Sequence, residues 1–125
     1  MNLNQVTIPS INVNNAVKFY EKLGFKLIVD STPRYVRFEV PDGEATFSIH
    51  SVNKLPNGQG ITLYFECDNL DDKVTELKQK GINFTLLPTD QKWLWREAHL
   101  NDLDGNSLIL YFAGDNRKNP PWKIN

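Results

Sequence analysis

Two histidines and a few carboxylates set the chemistry open to this chain. His50 and His99 are its only imidazoles. With Glu66 or Glu97 they could make an acid–base pair or an off-pattern divalent-metal site, since such cations take imidazole nitrogen and carboxylate oxygen. For each histidine alone, a hydrogen-bonded or exposed side chain is the commoner outcome. Glu66 and Glu97 could act as raised-pKa acids in a cavity, or sit on a rim as ordinary solvated carboxylates. Arg34, Arg37 and Arg96 could hold an anion in bidentate fashion, or be solvated surface. The single cysteine, Cys67, excludes an internal disulfide. It lies in an apolar run without a nucleophile motif and reads as a buried, inert thiol, compatible with a reducing compartment. No phosphate-binding glycine loop, serine-nucleophile elbow or paired-cysteine motif occurs.

The elements that must position these groups follow from composition and pattern. A chain of 125 residues with 40% hydrophobic and 23% charged residues fits one globular domain that buries its own core. A net charge of -1 gives no electrostatic basis for nucleic-acid or anionic-membrane partners. The start, Met1-Asn2-Leu3-Asn4-Gln5, lacks the basic-then-apolar signature of a signal peptide. No apolar stretch approaches the roughly 20 residues of a spanning helix. A cytoplasmic location is expected.

Alternation from Leu3 to Pro9 predicts a strand. Asn12 caps a helix whose apolar face is Val13, Ala16, Val17, Tyr20 and Leu23, and Gly24 ends it. Strands follow at Phe25–Asp30, Tyr35–Val40 and Ala45–Val52, with Pro41-Asp42-Gly43 as a turn. Residues 54–60 read as a linker. The order then repeats: a strand at Ile61–Cys67, a helix capped by Asp68 or Asn69 carrying Leu70, Val74 and Leu77, a stop at Gly81, and strands at Ile82–Leu87, Trp93–Asn101 and Ser107–Phe112. The segment Pro88 to Gln91 reads as a loop. Asn12-Val13-Asn14-Asn15-Ala16-Val17 and Asn69-Leu70-Asp71-Asp72-Lys73-Val74 match in cap and apolar spacing, so a tandem duplication is the simplest account. The expected organisation is an α+β fold. One domain spans residues 1–125, with βαβββ units at 1–53 and 61–112 and a polar, extended tail at 113–125.

Three segments carry a family resemblance: Val13 to Phe25 around Phe19-Tyr20-Glu21-Lys22-Leu23-Gly24-Phe25, Tyr64 to Leu70, and Leu100-Asn101-Asp102-Leu103-Asp104-Gly105-Asn106. In these the chain resembles the vicinal oxygen chelate superfamily, which holds glyoxalase I, extradiol dioxygenases, and fosfomycin and bleomycin resistance proteins. The last turn departs from the family's Asp-Pro-Asp-Gly-Asn, with Leu103 in place of proline. The resemblance implies two βαβββ units whose curled sheets form a cavity, and, in the metal enzymes, one metal ligand from each of four strands. Those four positions fall on Gln5, about Ser48, Thr62 and Ile109. Only Gln5 could ligate in the usual way, so no metal is expected at the usual site.

With those positions facing inward, strand parity assigns the cavity lining. Gln5, Thr7, Thr46, Ser48 and His50 face it from the first half. Thr62, Tyr64, Glu66, Ser107, Ile109 and Tyr111 face it from the second. Trp93, Trp95, Glu97 and His99 share one parity of the seventh strand and are placed on the same face, although packing in a core or dimer would also suit the tryptophans. Phe47, Ile49, Ile61, Leu63, Phe65, Leu108 and Leu110 are expected against the helices. Three functions remain open. The first is a metal-free binder of a small molecule in an aromatic-lined cavity, similar to bleomycin resistance proteins. The second is a lyase or dioxygenase with a relocated metal on His50, His99, Glu66 or Glu97. The third is a dimeric interaction module with a vestigial cavity. A homodimer is expected in each.

Overall fold

The computed structural model describes residues 1–125. Its elements run β1 (Gln5–Ser10), α1 (Val13–Lys22), β2 (Lys26–Ser31), β3 (Tyr35–Glu39), β4 (Thr46–Ser51), β5 (Thr62–Glu66), α2 (Leu70–Gln79), β6 (Leu86–Asp90), β7 (Arg96–Asn101) and β8 (Ser107–Phe112). A short 3₁₀ turn, Gly114–Arg117, follows. The order βαβββ thus occurs twice, in an α+β fold with two four-stranded sheets, β1-β4-β3-β2 and β5-β8-β7-β6. In each sheet the first and last strands of the repeat pair in parallel and the other pairs are antiparallel. The chain divides into two compact units: residues 1–60 with 102–105, and residues 61–101 with 106–125.

In the first unit the Asn12 side chain accepts the Asn15 N–H at 3.0 Å, which satisfies one of the free donors at the start of α1. The helix buries Val13, Ala16 and Tyr20. The buried side chains Ile8, Val36, Phe38, Phe47 and Ile49 complete this core. Tyr20 lies within 4.8–6.2 Å of the Phe25, Phe38 and Phe47 rings. Its hydroxyl donates to Asp102 Oδ2 at 2.5 Å, and Asp104 Oδ1 accepts the Ile11 N–H at 3.0 Å. These bonds place the Asp102–Gly105 turn with the first unit. Burial, then the Asp102 carboxylate, holds the Tyr20 phenol far above its ordinary value.

In the second unit α2 buries Leu70, Val74 and Leu77 and packs on β6, β7 and β8, whose helix-side residues Ala98, Leu100, Leu108 and Leu110 are buried. Asn69 makes no side-chain cap; Asp71 and Asp72 stand in the first turn instead. Arg96 bonds Asp71 through Nε and Nη2 (2.9 and 3.1 Å) and Asp90 through Nη1 (3.0 Å). Both helices end alike. Phe25 N–H reaches back to Tyr20 O and Ile82 N–H to Leu77 O (3.1 and 3.0 Å), across Gly24 and Gly81 at φ 95° and 90°.

That helix end corrects one expectation. The Ile82 N–H closes α2, so Ile82–Leu87 is not a strand; β6 starts at Leu86 and runs through Pro88 to Asp90. Pro88 is tolerated because β6 is a sheet edge and its register with β7 shifts between Leu86 and Thr89. The seventh strand begins at Arg96 rather than Trp93, because residues 91–95 form the β6–β7 turn. In that turn Leu94 N–H bonds Gln91 O at 3.0 Å, Gln91 N–H bonds Trp95 O at 2.7 Å, and Leu94 holds φ 67°. Ile61 precedes β5 and is half exposed instead of packing on a helix. Cys67 is only partly buried. The tail is not extended throughout, since Gly114–Arg117 coils into the 3₁₀ turn.

Candidate functional site

The face of the first sheet away from α1 is polar by strand parity. It carries Gln5 and Thr7 of β1, Thr46 and Ser48 of β4, and Tyr35 and Arg37 of β3, placed side by side by the pairs Gln5–Thr46, Thr7–Ser48 and Arg37–Ser48. Ser48 is fully buried. Its Oγ accepts from Gln5 Nε2 at 2.6 Å and bonds the Tyr35 hydroxyl at 2.6 Å. Gln5 Nε2 also donates to Thr7 Oγ1 at 3.3 Å, and Gln5 Oε1 accepts from the Thr46 hydroxyl. Arg37 Nε donates to the Tyr35 hydroxyl at 3.0 Å. The Ser48 bond, then Arg37, draws the Tyr35 phenol below its ordinary value. His50 is exposed at the end of this face, opposite Tyr35 and Pro9, and joins no part of the network.

The matching face of the second sheet is aromatic. Trp95 and Tyr111 stack with centroids 4.6 Å apart and planes 18° apart, and Tyr64 stands edge-on to both at 5.8 and 5.6 Å. Ile109 and Ala113 extend the apolar patch, and Trp95 Nε1 donates to Asn116 O at 3.2 Å. Burial, then Glu66, raises the Tyr111 phenol. Glu97, opposite Tyr111, is 2% exposed. Its Oε2 accepts from Trp93 Nε1 at 2.7 Å and its Oε1 bonds His99 Nε2 at 2.8 Å. Trp93 therefore reaches Glu97 from the turn, not from the strand.

Within each unit the expected lining residues meet as follows. Gln5, Thr7 and Ser48 meet in the first unit; Tyr64, Trp95, Ile109 and Tyr111 meet in the second, as do Trp93, Glu97 and His99. Thr62 lies exposed at the start of β5, opposite Ser107. Glu66 has a different job: its Oε2 accepts the Ala113 and Gly114 N–H groups at 2.9 and 3.0 Å, capping the 3₁₀ turn, with Arg117 Nε at 3.8 Å from Oε1. Tyr35 was missing from the expected set, although the alternation Tyr35-Val36-Arg37-Phe38-Glu39 puts it on the polar face. A groove of about 280 Å³ lies elsewhere, at the start of α2 between Asp68–Asp72, Arg96 and Phe112.

A family model, Glyoxalase/Bleomycin resistance protein/Dioxygenase superfamily, matches residues 2–110. The chain belongs to this superfamily. A glyoxalase/bleomycin resistance protein/dioxygenase from Nocardioides shares the fold with a TM-score of 0.79, at 20% identity over 100% of this chain and 90% of that one. A bleomycin-binding protein complexed with bleomycin gives 0.74 at 22% identity, over 90% and 98% of the two chains. Lactoylglutathione lyase from Agrobacterium tumefaciens gives 0.74 at 16%, over 89% and 92%. No curated protein matches the sequence.

At the four positions where the resemblance expects metal ligands the chain carries Gln5, Ser48, Thr62 and Ile109. The Gln5 carbonyl oxygen and Ser48 Oγ are both engaged in the polar network, Thr62 offers a neutral hydroxyl, and Ile109 has no donor atom. No group of three or more His, Cys, Asp or Glu side chains is gathered to hold a metal elsewhere. Of the relocated set, Glu97 bonds His99, Glu66 caps the 3₁₀ turn, and His50 is exposed at the end of the β4 face.

Proposed function

We propose that this superfamily member binds a small, flat, partly aromatic molecule on the Tyr64–Trp95–Tyr111 face, without a metal and without turning it over. The observation that carries the reading is the stacked Trp95–Tyr111 pair with Tyr64 edge-on, beside a buried carboxylate already satisfied by Trp93 and His99. Aromatic walls with a few oriented polar groups are what small-molecule sites use. The fold neighbour crystallised with bleomycin supports a binding role for such a scaffold. The protein would act as a homodimer in the cytoplasm.

Titration of tryptophan fluorescence with bleomycin and a panel of flat heteroaromatic compounds tests the reading. A saturable change, unaffected by EDTA and lost in Trp95→Ala, is expected. Calorimetry with Ni²⁺, Zn²⁺ and Fe²⁺ tests the enzyme alternative: micromolar affinity that disappears in His50→Ala or His99→Ala would replace the metal-free reading with a relocated metal centre. No fluorescence response to any compound would leave the dimeric interaction module. Monomeric elution with light scattering at high concentration would remove the dimer.

A further inference from the structure

We propose that the first unit carries an oxyanion site centred on Arg37, for the carboxylate or phosphate group of a small molecule. It belongs to the first unit's sheet, the aromatic face to the second unit's, and it does not depend on that reading. Arginine recognises such groups through two parallel N–H bonds from its planar fork, and the bond is stronger when the fork is held in place beforehand.

Four arginines have the right chemistry, and their surroundings separate them; Arg117 lies beside a carboxylate, its Nε 3.8 Å from Glu66 Oε1. Arg96 is occupied on Nε and both terminal nitrogens by Asp71 and Asp90. Arg34 is exposed, and no side chain holds its guanidinium. Arg37 alone is both held and open. Its Nε is tied to the Tyr35 hydroxyl at 3.0 Å and its guanidinium carbon lies 5.6 Å from the Tyr35 ring centroid. Tyr35 is fixed in turn by the buried Ser48, and Ser48 by Gln5. This chain of bonds runs from the sheet to the fork and removes freedom that an ordinary surface arginine keeps. No carboxylate pairs with Arg37, and its terminal nitrogens have no protein acceptor. The polar groups around it suit an anion: the Thr7 hydroxyl on the same face and the exposed His50 imidazole opposite Tyr35. The carboxylate sharing its strand face, Glu39, stands two residues along, opposite Lys26.

The test is an NMR titration of the full ¹⁵N-labelled chain with acetate and, separately, with inorganic phosphate. Backbone amides of Tyr35–Phe38 and the arginine Nε–H signals are followed. Saturable shifts at Arg37, with a Kd on the order of 10 mM for at least one probe, are expected, while Arg34 drifts without saturating. Arg37→Gln should abolish saturation. Arg37→Lys should weaken it about tenfold, because an ammonium keeps the charge but not the fork. Tyr35→Phe should weaken it about threefold by releasing the guanidinium. Acetate alone would assign a carboxylate, phosphate alone a phosphate, and both a general oxyanion site. Absence of saturation with either probe, unaltered binding in Arg37→Gln, or an equal loss in Arg34→Gln would overturn the proposal.

Discussion

The two units solve the same backbone problem and put opposite chemistry on the equivalent face. Each pairs its strands in the same order and closes its helix across a glycine with φ near 90°. Yet where β3 and β4 set Tyr35 opposite His50 and Arg37 opposite Ser48, β7 and β8 set Glu97 opposite Tyr111 and His99 opposite Ile109. One face is a hydroxyl network ending in a held arginine; the other is an aromatic stack beside a buried glutamate. Pairing demands only that side chains alternate, so the face away from the helix was free to diverge. The helix side diverged less, because it must be filled. At matched positions α1 carries Tyr20 and α2 carries Leu77, both buried.

The largest effect should come from that matched pair. Tyr20→Ala is expected to cost about 3–5 kcal/mol in urea unfolding and Leu77→Ala about 2–5 kcal/mol, both as lost core volume. Tyr20→Phe separates them: it keeps the ring but removes the donor to Asp102, for about 1.5–3 kcal/mol. If Tyr20→Phe unfolds like the unmodified chain, the hydroxyl adds nothing and the two helices pack equivalently. The same bond has a pH signature. The folded-state phenol lies above its unfolded value, so its contribution is complete below the unfolded value of about 10 and is lost as pH rises beyond it. Alkaline loss of stability should therefore be shallower in Tyr20→Phe.

Next is the buried carboxylate of the second face. Glu97→Gln leaves one acceptor oxygen where Trp93 and His99 both approach, and a loss of about 1–3 kcal/mol is expected. Its counterpart Tyr35→Phe removes a hydroxyl from a more exposed network and should cost about 1 kcal/mol or less. Thermal melts of the two variants decide it. Equal losses would mean that the two faces are equally structural, and the contrast between an open and a closed network would fail.

What could be read from the sequence was what is local. Asn12, Gly24 and Gly81 mark helix ends because a cap or a left-handed residue acts within a few positions. The alternation of β4 and β8 put Phe47, Ile49, Leu108 and Leu110 in the core because parity is also local. The failures involve distant partners or a backbone that defies residue preference. Ile82 reads as a strand residue until its N–H is seen closing α2. Trp93-Leu94-Trp95-Arg96 mimics strand alternation, and nothing about leucine announces φ 67°. Glu66 and Arg96 drew attention as reactive groups. Their roles, capping Gly114–Arg117 and bridging Asp71 to Asp90, rest on contacts 47 and 25 residues away for Ala113 and Asp71.

Strain is another difference between the units. Leu94 is the one residue other than glycine with positive φ, and it sits in the turn that presents both Trp93 and Trp95. Leu94→Gly should raise stability by about 1 kcal/mol, since glycine accepts that backbone without a Cβ clash. The gain should appear as a higher midpoint in thermal unfolding with Trp95 fluorescence unchanged. A lower midpoint would mean that the half-exposed Leu94 side chain contributes more than its backbone costs.

The smallest effect tests how the two helices start. Asn12 bonds the Asn15 N–H, whereas Asn69, at the same place in the repeat, bonds nothing with its side chain and leaves the first turn to Asp71 and Asp72. Acidic side chains near a helix start favour it through the local dipole, by about 0.3–1 kcal/mol each at low salt. Asn12→Ala should therefore cost about 0.5–1 kcal/mol at any ionic strength, because a short hydrogen bond is lost. Asn69→Ala should cost close to nothing. Asp72→Asn should cost a few tenths of a kcal/mol in dilute buffer, and added salt should erase the loss. Denaturant midpoints at low and high salt read all three. A salt-insensitive loss at Asn69 as large as that at Asn12 would show that both helices start by the same side-chain cap, and that the repeat diverged only on its sheet faces.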